Sequence, residues 1–108
     1  MLTDVRIVGF EWDRGNRSKC QKHGVSLAEI EAVLLPTAGS FVFPDARHSS
    51  GEPRFIAIGR TEAGRGVFAV FTLRRHGEET FIRPVSARYM HRKEVEYYEK
   101  EISSSQNR

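Results

Sequence analysis

Cysteine is nearly absent: Cys20 stands alone, so no intramolecular disulfide can form and no cysteine pair can hold a structural zinc. The histidines His23, His48, His76 and His91 are scattered, with no second ligand at the short helical spacings that metal sites use. The carboxylates form no magnesium-like cluster, and neither a Gly-x-x-x-x-Gly-Lys phosphate loop nor a dinucleotide fingerprint occurs. No metal and no cofactor are expected. A signal peptide and an apolar run long enough to span a bilayer are also missing, which points to a reducing cytoplasm and to no membrane partner. Cys20 lies near His23, but a thiol nucleophile needs an activating base and an orienting third group, so a half-buried helix cysteine is the simpler expectation.

What remains is ordinary for one soluble domain. The 108 residues are 39% hydrophobic and 29% charged, enough apolar surface to build one core and too little length for a second domain. Lys and Arg outnumber Asp and Glu by 17 to 14, a net charge of +3 that favours polyanionic partners only weakly.

Periodicity supplies the elements. Val5 to Trp12 is β-branched and aromatic, which predicts a first strand. Arg14 to Lys22 predicts a short basic helix stopped by His23-Gly24. Ser26-Leu27-Ala28-Glu29 matches a capping box, and Leu27, Ile30 and Leu34 then recur at helical spacing up to Leu35-Pro36. Four β-favouring runs follow, Ser40 to Phe43, Phe55 to Arg60, Val67 to Arg74 and Thr80 to Val85, separated by Gly-, Pro-, Asp- and Ser-bearing turns that suit antiparallel hairpins. Val67 to Arg74 is apolar on both faces in its first half and should lie centrally. Val95, Tyr98 and Ile102 give a last amphipathic helix, with Ser103 to Arg108 as a frayed, flexible tail. The class is α+β: a compact antiparallel sheet with two N-terminal helices and one C-terminal helix, residues 1–102 forming the domain.

Basic residues gather at strand ends: Arg60, then Arg74 and Arg75, then Arg83 and Arg88. If neighbouring strands bring them together, they make a cationic patch able to hold an RNA backbone; otherwise they decorate a solvated sheet. Tyr89, His91 and Arg92 add groups that stack, transfer protons or pair with phosphate, although an aromatic before a helix also serves as a core anchor.

Phe10-Glu11-Trp12-Asp13, Lys22-His23-Gly24-Val25, Gly51-Glu52 with Arg54, Ile58-Gly59-Arg60, Phe71-Thr72, Ile82-Arg83-Pro84-Val85-Ser86-Ala87-Arg88 and Arg92-Lys93-Glu94 follow one another in an order and spacing that resemble the BrnT family of toxins. Many relatives carry Asn where this chain has Lys19, three residues before the Lys-His-Gly-Val motif. The resemblance implies a RelE-like fold and a ribonuclease toxin of a type II toxin–antitoxin system that arrests translation. It implies RNA and a DNA-binding ribbon-helix-helix antitoxin as partners, with a homodimer or a toxin–antitoxin heterotetramer as the assembly.

Cleavage of this kind needs no metal when the substrate's 2′-hydroxyl is the nucleophile, because Arg, Lys, His and Tyr suffice to move protons and stabilise charge. Under that resemblance Arg60 and Arg88 are assigned to charge stabilisation, His23 or Tyr89 to proton transfer, and Lys19, Lys22 and Arg74 to RNA positioning. Structural alternatives stand beside these: His23 as a helix-end cap, and Arg60 and Arg88 as ion-pair partners of Glu11 or Glu52. A catalytically silent domain that binds RNA or antitoxin is the main rival function. A DNA-binding regulator ranks below it, because no helix-turn-helix with a basic recognition helix is evident.

Overall fold

The computed structural model describes residues 6–48 and 51–106. The first strand, β1, spans Ile7–Phe10. Its expected start at Val5, and the last tail residues Asn107 and Arg108, lie outside the described residues. The strand ends before Trp12 because that indole turns to donate to Glu31 at 2.8 Å, tying the strand exit to the second helix.

Two helices follow, each opened by a reciprocal cap. In α1, Arg14–Gln21, the Asp13 side chain accepts from the Asn16 amide while the Asn16 side chain accepts from the Asp13 amide. In α2, Leu27–Leu34, Ser26 and Glu29 do the same, as their spacing predicts. Between the helices Gly24 adopts φ +92°, a left-handed turn that costs a residue without Cβ little.

The remaining strands are β2 (Phe41–Pro44), β3 (Phe55–Arg60), β4 (Gly66–His76) and β5 (Glu79–Tyr89), and α3 (Arg92–Gln106) closes the described chain. They form one five-stranded sheet in the order β1-β5-β4-β3-β2. The joins β2–β3, β3–β4 and β4–β5 are antiparallel, whereas β1 runs parallel to β5. The sheet is therefore mixed: its joins from β2 to β5 are antiparallel as expected, and β1 adds one parallel edge strand. Hairpins dictate direction only between strands adjacent in sequence; β1 docks on β5 after the rest of the chain has intervened, so no hairpin constrains it.

Two further boundaries move. β5 extends four residues past the expected end at Val85, through a register shift opposite Val70 and Phe71. Pro84, which cannot donate to a ladder, is accommodated at this irregularity. The helix α3 runs on to Gln106 instead of giving way at Ser103, because a helix anchored through Val95 and Tyr98 adds one hydrogen bond for each further residue it orders.

Helices cover both sheet faces. Cys20, Ile30 and Val33 pack on Val67, Ala69, Phe71, Ile82 and Ala87 from one side, and Met90, Val95 and Tyr98 pack on Ile56, Ile58 and Phe68 from the other. Central β4 is thus apolar on both faces, as its sequence predicts. A Cβ at Gly66 would come within 2.5 Å of Val95 Cγ2 and 2.9 Å of Met90 Cε, so glycine there lets α3 close on the sheet.

Candidate active site

Backbone register decides which charged side chains share a face. Successive strand residues point to opposite sides, so Arg83 and Arg88, five apart, would face apart in a regular strand. The irregularity in β5 adds one residue between them: Arg83 pairs with Thr72 and Arg88 with Phe68, and both partners lie on the α3 side of β4. The bulge therefore turns Arg83 to the α3 side with Arg88 and Arg74.

Beyond the part of that face that α3 packs against, a charge cluster forms. The Glu11 Oε1 atom lies 3.1 Å from Arg83 Nη1 and 3.7 Å from Arg74 Nη1, while its Oε2 atom contacts His76 Nε2. Arg83 also reaches Asp13 Oδ2 at 2.9 Å. Arg74 holds Glu52 through one hydrogen bond, Nη2 to Oε1 at 3.1 Å, and an ion-pair contact of 2.6 Å between Nε and Oε2. The edge of the His76 ring meets Phe81, 5.4 Å between centroids, which orients the imidazole.

The frame beneath is rigid. The Asn16 side chain is buried and donates to the Glu11 carbonyl at 3.0 Å and the Pro84 carbonyl at 2.9 Å, fixing the strand exit that carries Glu11 against the bulge that aims Arg83. The Thr72 hydroxyl donates to the Pro53 carbonyl at 2.6 Å, holding the segment that bears Glu52 and Arg54. The hydrogen bond from His76, with the charges of His76, Arg83 and Arg74, holds the Glu11 carboxyl below the ordinary carboxylate range despite the opposing effect of burial. Asp13 is lowered by its bond from the Asn16 amide and by Arg83. Glu11 is thus an ionised acceptor beside an imidazole and two guanidinium groups, the residue types of metal-free acid–base chemistry on a phosphodiester.

A cleft of about 250 Å³ opens alongside, lined by Lys19, Glu52, Arg54, Thr72, Arg74 and Arg83 among others. Lys19 and Arg74, both expected to position RNA, meet here. Lys22 is exposed just after α1, outside the cleft lining.

The four residues expected to be catalytic do not converge. Arg60 and Arg88 point to the α3 side: Arg60 pairs with Glu99 at 2.8 Å, and Arg88 grips Glu94 through two bonds of 2.8 Å while lying over the Phe68 ring. Their carboxylate partners are on α3, not the Glu11 or Glu52 weighed from sequence. Tyr89 points to the opposite face, where its hydroxyl donates to Glu29 at 2.6 Å and the Arg65 guanidinium lies 3.4 Å from its ring centre. The Glu29 carboxyl is lowered by that hydroxyl and by Ser26, and the Tyr89 phenol is correspondingly raised. His23 is exposed in the turn preceding Gly24, and a Cβ at Gly24 would lie 4.0 Å from the Tyr89 ring.

Sequence reasoning gave Arg83 only a place in a possible cationic patch, and it did not assign Glu11, His76, Glu52 or Arg54 to a site. A signal existed: Glu11, Asp13, Glu52, Arg54, Thr72 and Arg83 all belong to the motifs that carry the family resemblance, and they meet at this one place. Among the described residues no group of three His, Cys, Asp or Glu side chains is placed to hold a metal ion, and no helix is long and apolar enough to cross a membrane.

No curated protein matches the chain significantly. A family model described as "Ribonuclease toxin, BrnT, of type II toxin-antitoxin system" matches residues 12–94. That span holds every element from α1 to the start of α3, and the chain belongs to the BrnT family of ribonuclease toxins.

Proposed function

We propose that the Glu11, His76, Arg74 and Arg83 cluster is the reaction centre of a metal-independent endoribonuclease that arrests translation and is neutralised by a ribbon-helix-helix antitoxin. The observation that carries this reading is the Glu11 carboxylate in contact with an imidazole and two arginines, beyond the part of the sheet that α3 packs against.

The nucleophile is the 2′-hydroxyl of the RNA. Glu11 takes its proton as the 2′-oxygen attacks the adjacent phosphorus, and protonated His76 gives a proton to the departing 5′-oxygen. The P–O2′ bond forms as the P–O5′ bond breaks, leaving a 2′,3′-cyclic phosphate and a 5′-hydroxyl. Arg74 and Arg83 neutralise charge on the phosphorane oxygens, the task a divalent ion performs in metal-dependent nucleases. When a phosphate draws these guanidinium groups away from Glu11, two of the influences that hold its pKa down weaken, and Glu11 becomes a better base as the substrate arrives.

A second reading places proton transfer at Tyr89, favoured by its short bond to Glu29 and by Arg65 over its ring. Under it, His23 is the other proton-transfer candidate, and Arg60 and Arg88 act only after leaving Glu99 and Glu94. The ribbon-helix-helix class of the partner, and its assembly as a heterotetramer against a toxin homodimer, rest on the family resemblance.

Cleavage of a labelled single-stranded RNA in EDTA separates the readings. Glu11→Gln and His76→Asn, each shown folded by circular dichroism, lower kcat by about a hundredfold or more, while Tyr89→Phe cleaves as wild type does. The reverse pattern favours the Tyr89 centre. RNA left intact by the wild type favours a silent binding domain.

A further inference from the structure

We infer that Lys19 and Arg54 form a second phosphate subsite beside the reaction centre, gripping the RNA backbone next to the scissile position. The inference rests on the reaction centre proposed above.

The cleft beside Glu11 draws cations from separate parts of the chain: Lys19 from α1, Arg54 from the segment before β3, Arg74 from β4 and Arg83 from β5. These cations have different commitments. Arg74 is bound by Glu52 and Glu11, and Arg83 by Glu11 and Asp13. Among the described residues neither Lys19 nor Arg54 forms a salt bridge with a carboxylate. A phosphate entering the cleft therefore meets two cations that need not first give up a partner.

The platform under Arg54 is fixed on both sides. Its carbonyl accepts from the Asp45 amide at 2.9 Å, and the preceding Pro53 carbonyl accepts from buried Thr72. Lys19 is held by the helix whose Asn16 is bolted to Glu11 and Pro84. The backbone bearing both cations is thus fixed relative to the groups proposed to cleave, so that only the two side chains remain to be ordered on binding. A backbone phosphate matches this chemistry, because Arg presents a planar fork to its oxygens and Lys a compact point charge. Such contacts carry no base preference and fix the register of the strand.

The test uses a fluorescein-labelled 2′-O-methyl oligonucleotide, which lacks the nucleophile and cannot be cleaved, so binding is read apart from catalysis. Anisotropy is measured across a salt series with wild type, Lys19→Ala, Arg54→Gln, the double variant and Lys100→Ala, a control on exposed α3, each checked for fold by circular dichroism. The double variant is expected to bind about tenfold more weakly, and its log Kd against log salt slope to fall by about 0.7, one phosphate contact on a single strand. Inorganic phosphate should displace the oligonucleotide less effectively from the double variant than from wild type. Wild-type affinity and slope in both single variants and the double variant, or an equal loss in Lys100→Ala, overturns the subsite. Weakened binding by the Lys19 and Arg54 variants, alongside full cleavage by Glu11→Gln, keeps the subsite and rejects the reaction centre.

Discussion

Glu11 and Cys20 show how surroundings assign chemistry to a side chain. The Glu11 carboxylate is met by His76, Arg83 and Arg74 and stays ionised. Cys20 is fully enclosed between α1 and the sheet, and burial pushes its thiol up to about 11 against lesser lowering effects from Lys19 and Arg83. A thiol so placed is mostly protonated at neutral pH and is a packing residue rather than a nucleophile. Because its folded pKa lies above the unfolded value of 9.0, its contribution to stability is fully present below pH 9 and is lost as pH rises through about 11. The native protein should therefore resist iodoacetamide at pH 7.5 and be labelled once denaturant unfolds it; rapid labelling of the native state would contradict this placement. The sequence alone favoured a half-buried helix cysteine, and the structure buries it further. His76 was less legible, because a histidine without a nearby ligand in sequence shows nothing of a glutamate sixty-five positions away.

At the scale of elements, local signals were the readable ones. Both the Ser26–Glu29 capping box and the strand-like texture of Phe55 to Arg60 depend on neighbouring residues, and both elements form where expected. The parallel docking of β1 and the bulge in β5 depend on partners distant in sequence, and neither was visible. That bulge matters most for the site, since it turns Arg83 to the face that bears Arg74. Asn16 braces it: its amide bonds the Pro84 and Glu11 carbonyls, and its side chain also closes the α1 cap. Asn16→Ala leaves two carbonyls without this donor and removes half of the cap, at a cost of roughly 2–3 kcal/mol. In a domain of this size the melting temperature should fall by on the order of 10 °C, while exposed Gln21→Ala should melt close to wild type. Equal melting of Asn16→Ala and wild type would remove Asn16 from its bracing role.

For the whole molecule, the net charge of +3 says little, because opposite charges are sorted in space. Glu94 and Glu99 on α3 occupy Arg88 and Arg60, whereas the cleft beside β5 keeps Lys19 and Arg54 without ion pairs among the described residues. Composition permitted RNA binding without locating it; the mixed sheet carries β1 to the edge of β5 and so sets Glu11 against strands from the other end of the chain, where we propose that RNA is cut. The most direct measurement is the chemistry of the ends produced when the wild type cleaves RNA in excess EDTA. Attack by the 2′-hydroxyl predicts 2′,3′-cyclic phosphate and 5′-hydroxyl ends, with no cut at a position substituted by a 2′-deoxynucleotide. Ends bearing a 5′-phosphate, or cleavage that stops in EDTA and returns with magnesium, would contradict the proposed centre.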